Sequence, residues 1–477
     1  MKKIDLRIIF AILLLVDLCF SFIQHYHKSL DGDIASIVLG YPEVMSDPLG
    51  LNVLLEQKVY GGTNRFFAHW MMSVYFKQLP LLFQNFANPV ESIYLACAFA
   101  KTIIQLMIML ALSSMISGVK NIWNKNFLLA AILVTPLFQT NGYNGYMGII
   151  NSSITYTFFY ALPLALLLLF FLPFHNRIVN ESWRQLNYLK CLILVILSLI
   201  LALGGPLSPA IIIIGSTLIL FNYWKKHFKK NPTLPFFQKS LYAISGIPKI
   251  LLFFLSFISL LSIYSIYIGQ YNAENFFHTV TLSERYKLLP TGLYYSFSQK
   301  LGLPILLLMT LLNLFLISKQ ERTENTKQLF VRGKWIALFI AIYILILPFG
   351  GYREYRPNIV RADTLLPVII CIIYMFGIST RYLLSREPSK LKHIYSGVVI
   401  LFLMVFVVAD KSVTSENDCE KDALNKIALS TEEIVYIDNQ CTVMSWNKIS
   451  DYRNSKLNCE LFKRWGVIKI EKAYYQK

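Results

Sequence analysis

The chain has 477 residues, 55% of them hydrophobic and only 15% charged, where an ordinary soluble protein carries about 25% charged residues. A formal net charge of +18 would suit a nucleic-acid binder. The lysines and arginines instead cluster in short loops between apolar runs, which excludes that class and points to membrane topology and contact with anionic lipid headgroups.

Apolar runs suited to crossing ~30 Å of hydrocarbon recur at roughly 7–24, 92–117, 126–140, 153–173, 188–204, 207–223, 249–269, 301–318, 335–350, 364–381 and 394–409. They predict an all-α polytopic membrane protein of about eleven transmembrane helices. Met1-Lys-Lys ahead of the first run is no cleaved signal, because no small-residue cleavage site follows; it reads as a retained helix with its basic end in the cytoplasm. Counting from there, the even-numbered connections are the basic ones. They hold Lys120 and Lys125; Arg177, Arg184 and Lys190; Lys225, Lys226, Lys229 and Lys230; Lys319 to Lys334; and Arg381 to Lys392. This alternation predicts a bacterial-type cytoplasmic (inner) membrane protein with its N-terminus inside and its C-terminal tail outside.

The first outer connection, residues 25–91, starts acidic and continues into Arg65-Phe-Phe-Ala-His-Trp-Met-Met-Ser-Val-Tyr-Phe-Lys77. A span there would put every later loop on the wrong side, so the stretch is predicted as an amphipathic helix in the interface, preceded by a shorter one at Ile34–Leu39. Asp17 and Lys101 fall inside spans at similar expected depth and are predicted to pair. From Asp410 the composition turns polar. A membrane domain over 1–409 is thus followed by a small α+β appendage over 410–477, with strands expected at Glu433–Asp438 and Trp465–Glu471. Of the tail cysteines Cys419, Cys441 and Cys459, one pair can bridge in an oxidising compartment, leaving one thiol.

Candidate chemistry gathers in the outer loops. Asp31-Gly32-Asp33 follows the first span. A carboxylate there can take a proton from an attacking hydroxyl, hold a divalent ion, or simply cap the helix that begins at Ile34. Arg353, Arg356 and Arg361 stand on the same predicted side, where the positive-inside rule does not call for them. Arginine forks bind phosphate oxygens, but such residues can equally meet ordinary lipid heads. Arg65 and His69, one helical turn apart, and Arg285 in the 270–300 loop are further candidates for substrate contact. No Cys or His spacing suggests a metal centre, and no cofactor is indicated.

The layout resembles the GT-C superfamily of membrane glycosyltransferases. The resemblance rests on a cytoplasmic N-terminus, a multi-span body, the acidic Asp31-Gly-Asp33 motif just after the first span, interfacial helices behind it at 51–85, and Arg361-Ala-Asp-Thr-Leu-Leu-Pro367 before a late span. Ile34 stands where an Asp-Glu pair would have its glutamate, which leaves open which aspartate is the base. The resemblance implies a polyprenyl-phosphate-linked sugar as donor and a glycan or lipid acceptor. Asp33, or else Asp31, would be the general base, with Arg353, Arg356 and Arg361 on the leaving phosphate. Two other readings are a capsule- or O-antigen-type polymerase or ligase using lipid diphosphates, and a transporter or flippase for a lipid-linked glycan.

Overall fold

The computed structural model describes residues 5–180, 183, 186–230, 233–276, 280–350, 352, 356–386 and 389–477. The chain is a multi-pass helical membrane protein. Among the described residues, seven helices are long and apolar enough to cross a membrane, or up to eight if Leu282–Ser298 and Gly302–Ser318, bent by 84°, count as one span. Three expected runs fall on lesser helices: Lys125–Val134 and Tyr188–Ala202 are short, and Ser208–Phe228 ends in the polar Asn222-Tyr-Trp-Lys-Lys-His227.

The 29-residue helix Pro89–Ser117 is the centrepiece. At 1.5 Å per residue it is ~44 Å long, more than a bilayer core needs. Asn88 caps it by accepting from the Glu91 amide at 2.9 Å. Its projecting first turns carry Glu91 and Tyr94, and both reach the tail. Leu6–Tyr26 packs against it with Gln105 donating to Ser21 at 3.0 Å. That register corrects the expected Asp17–Lys101 pair. Because Gln105 is level with Ser21, Lys101 lies a turn nearer the loop end, where it donates to the Ser152 carbonyl. Asp17 is left deeper, with one oxygen unpartnered among the described residues.

The first loop folds as four helices: Ile34–Leu39, Pro42–Ser46, Leu51–Glu56 and Phe66–Phe83. The stretch 51–85 is therefore broken. Asp47 terminates the path into Leu51 by accepting the Leu51 and Asn52 amides and the Tyr60 hydroxyl, and Gly62, at φ +79°, makes the turn that follows. Thr63 and Asn64 then bond to the last turn of Lys249–Gly269. The loop is thereby fixed to a span end.

The tail is α+β, with helices Asp418–Leu429 and Lys456–Arg464 beside two parallel strands, Ile434–Ile437 and Ala473–Gln476. Cys419 and Cys441 are bridged, and Cys459 is a buried thiol. The first strand lies where the sequence predicts it. The second does not: at 465–471 the helix Lys456–Arg464 ends on the fully buried Trp465, and Gly466 turns the chain at φ +71°. Trp465 donates to the Phe76 carbonyl at 2.8 Å and packs against the Phe76 ring. Tail residues Val435, Leu461, Phe462 and Tyr474 thus share one core with Ile34, Val38, Met72 and Phe76 of the first loop.

Removing this anchor should undock the tail. Trp465→Ala is expected to cost about 3–5 kcal/mol at the shared core. Limited proteolysis in nanodiscs should then clip the chain beyond residue 410 while the spans stay protected.

Candidate functional site

A cavity of ≈ 590 Å³ opens where the first loop, several span ends and residues 356–364 meet. Asp33, Arg65, His69, Arg285, Arg356 and Arg361 all line it. These side chains come from four segments far apart in sequence. Arg353 lies outside the described residues. Asp31 is not in the cavity wall.

The two aspartates have different surroundings. Asp31 is 5% exposed and saturated. Its Oδ1 accepts from the Thr155 hydroxyl at 2.7 Å and the Asp33 amide at 3.1 Å; its Oδ2 accepts from the Ser153 hydroxyl at 2.7 Å and the Thr155 amide at 3.0 Å. Asp31 therefore pins the first loop to the start of the helical segment Ile154–Val179 and makes the turn that presents Asp33. Asp33 stands at the start of Ile34–Leu39 without capping it through its side chain. Its Oδ1 accepts from Trp446 Nε1 at 3.0 Å. No hydrogen bond is made to Oδ2 among the described residues. Burial raises the Asp33 pKa, with the Asp31 and Glu274 charges adding to it, while the Trp446 hydrogen bond and Arg356 pull it down. A carboxylate tuned upward with one open oxygen is equipped to accept a proton from a hydroxyl beside it.

The arginines are held, not loose. Arg361 Nε lies 2.6 Å from Asp363 Oδ1, and Arg356 Nη1 lies 3.7 Å from Asp363 Oδ2. Burial works against the Arg361 charge, yet Asp363 and the Tyr160 hydroxyl hold its pKa above the usual guanidinium value. Burial and the neighbouring Arg361 lower that of Arg356, which remains a cation at any working pH. Its guanidinium lies over the Tyr156 ring, 4.4 Å from the centroid. Arg285 is steered by the Val280 and Gly350 carbonyls at 3.1 and 3.2 Å, and Arg65 lies 3.9 Å from Glu274. Four arginines in the wall against Asp33, Glu274 and the adjoining Asp363 leave one net positive charge among the described residues.

His69 contributes a neutral acceptor. Its Nδ1 lies 2.9 Å from the Arg65 carbonyl, which only accepts, so the proton sits on Nδ1 and Nε2 keeps its lone pair. Burial, with the Arg65 charge adding, pushes the imidazole down to about 4. The rest of the wall divides by chemistry. Tyr41, Asn64, Tyr156 and Asn272 offer polar groups, while Leu207, Ile266, Leu347 and Phe349 form an apolar side. Among the described residues, no group of three or more His, Cys, Asp or Glu is placed to hold a metal ion.

The sequence reading missed Tyr156, Glu274 and Trp446. Trp446 gives no local signal that sets it apart from the apolar Val443, Met444 and Ile449 around it. The chain matches no protein-family model and no curated protein.

The contrast between the aspartates is measurable. Either amide orientation of Asp31→Asn would turn an NH₂ toward a backbone N–H, at an expected cost of about 1–3 kcal/mol. Asp31→Asn should therefore melt earlier in nanodisc thermal scans, whereas Asp33→Asn, which keeps an acceptor for Trp446, should melt with the wild type.

Proposed function

We propose that this protein is an integral-membrane glycosyltransferase that moves a sugar from a polyprenyl-phosphate carrier to a glycan or other cell-surface acceptor. The observation that carries the reading is one cavity shared by the open Asp33 carboxylate and a cluster of arginines, with an apolar side next to the span ends. In this reading Asp33 Oδ2 takes the proton of the acceptor hydroxyl as its oxygen attacks the anomeric carbon. The bond to the carrier phosphate breaks on the opposite face, so the anomeric configuration inverts. Arg356 and Arg361 meet the charge that develops on the leaving phosphate, and the buried setting strengthens that attraction. The apolar side receives the first isoprene units.

Among the described residues the wall carries one surplus positive charge, which matches the single charge of a sugar phosphodiester better than the charge of a lipid diphosphate and supports a monophosphate carrier over the polymerase or ligase reading. The GT-C-like arrangement is supported by Asp33 lying directly after the first span and by the short helices that follow it. The Cys419–Cys441 bridge supports placing the tail, and the cavity beside it, on the extracytoplasmic side of a bacterial cytoplasmic membrane. The sequence's count of about eleven spans, with the N-terminus inside, would put the tail on that same side.

The test is transfer by purified protein in nanodiscs from synthetic, radiolabelled polyprenyl-phosphate sugars. Asp33→Asn should lower the rate about 10²–10⁴-fold, and Arg356→Gln or Arg361→Gln about 10²-fold or more. Full activity in Asp33→Asn would sink the base assignment, and no transfer from any monophosphate donor would point to a transporter. The pH profile provides a second check. A base must be ionised, and the Asp33 pKa is raised, so the acid limb of the rate should lie above the range of an ordinary aspartate. An acid limb at or below that of an ordinary exposed carboxylate would contradict it.

A further inference from the structure

Trp446 is a large aromatic side chain left 51% exposed beside a polar cavity, on a loop of the tail that is rigidly built. Two residues before it, Met444 sits at φ +43°, a conformation a side-chain-bearing residue adopts only when its surroundings impose it. Here they do. The Met444 amide donates to Glu420 Oε1 at 2.7 Å, and its carbonyl accepts from Asn458 Nδ2 at 3.0 Å. Glu420 is itself fixed by the Leu30 amide and the Tyr94 hydroxyl, and the bridge of Cys419 to Cys441 ties the loop to the same helix. The constraint aims Trp446 at the Asp31-Gly32-Asp33 turn. A Cβ on Gly32 would stand 2.5 Å from the Trp446 amide nitrogen, so only glycine admits this approach.

The indole then does two things at once. Its Nε1–H holds Asp33 Oδ1, leaving Oδ2 for a substrate proton. Its ring stacks on Tyr156, centroids 5.8 Å apart and planes 21° from parallel, and Arg356 lies over that same Tyr156 ring. One end of this row is a carboxylate and the other a cation, with a half-exposed aromatic surface between solvent and the base.

We propose that Trp446 is the acceptor-recognition residue: a pyranose ring of a glycan acceptor lies against the exposed indole surface, and one of its hydroxyls meets Asp33 Oδ2. This rests on the transferase reading above and adds to it the acceptor class, a carbohydrate, and the part of the chain that recognises it, the tail. The apolar C–H face of a sugar suits a ring whose polar N–H is already engaged, and tryptophan offers a broad rigid contact at small entropic cost. Trp446 also acts as a positioning residue for the base, because its hydrogen bond favours the ionised carboxylate.

The experiment reads binding apart from turnover. Full-length protein in nanodiscs is titrated with soluble oligosaccharides (maltohexaose, cellotetraose, chitotetraose and a dextran fragment), with glycerol as control, by saturation-transfer NMR without any donor. The wild type should bind at least one of these sugars. Trp446→Ala should bind it about 10- to 30-fold more weakly, and Trp446→Phe, which keeps a ring, should stay within about threefold. In the transfer assay Trp446→Phe should shift the acid limb to higher pH, since the N–H that lowers the Asp33 pKa is gone. Equal binding by wild type and Trp446→Ala, or no sugar bound by the wild type, overturns the platform even where transfer from the lipid donor is intact. An unmoved acid limb in Trp446→Phe overturns the positioning role. Melting of the tail near the wild-type temperature keeps both variants interpretable.

Discussion

One buried carboxylate, Glu420, holds three distant parts of this chain in a single place. It accepts from the Leu30 amide at 2.8 Å, from the Tyr94 hydroxyl at 2.9 Å and from the Met444 amide at 2.7 Å. These donors belong to the first loop, the projecting end of Pro89–Ser117 and the tail. A charge-bearing group in such a setting is tolerated only when its lone pairs are used, and here that requirement makes the tail part of the site. Asp31 applies the same logic a few residues away, binding the first loop to Ile154–Val179 through Ser153 and Thr155. Between these two buried acids the chain from Leu30 to Ile34 has little freedom, and Asp33 is presented from that fixed turn.

The parts of this arrangement that were legible in the sequence are those set by local composition. Leu, Ile and Phe runs announce helices because no other backbone satisfies itself in hydrocarbon, and each predicted run lies on a helix. Arg65, His69, Arg285, Arg356 and Arg361 stood out as cations and aromatics in places where topology alone did not need them, and all five line one cavity with Asp33. What composition could not carry was register. The Asp17–Lys101 pairing failed because depth was counted from the ends of apolar runs, whereas the helix from Pro89 overhangs its run and sets Lys101 level with the loop. The strand expected at Trp465–Glu471 failed because Trp465 is spent on the Phe76 carbonyl, a contact 389 residues away in sequence. Trp446 escaped notice for the same reason: its partner, Asp33, is 413 residues distant.

The cavity makes physical sense as a set of opposed solvation demands. Arg356 and Arg361 are too buried to rely on water, so Asp363, the Tyr156 ring and the Tyr160 hydroxyl compensate them. Among the described residues, Asp363 is a carboxylate shared by both guanidinium groups. A phosphodiester would complete the balance, and it would do so next to Leu347 and Phe349, where its lipid would leave water. Asp33 is in the reverse position: burial, and then its neighbours Asp31 and Glu274, discourage its charge, so it gains from taking a proton. On the proposed reading, electrophile and base are tuned by the same wall in opposite senses.

The order of the chain then has a consequence for assembly. Asp33 is near the N-terminal end of the membrane body, the arginines come after most of the spans, and Trp446 comes last. Contacts across such separations form only after the entropy of closing long loops has been met, so they cannot nucleate the fold. The local helices and their packing around Pro89–Ser117 must come first, and the tail must close onto a first loop that is already pinned to Ile154–Val179 and Lys249–Gly269. Until it does, Asp33 lacks the Trp446 hydrogen bond and the loop lacks Glu420. On the proposed reading, the carboxylate beside the cationic pocket is in this way completed by the tail, a segment made long after the first loop that presents it.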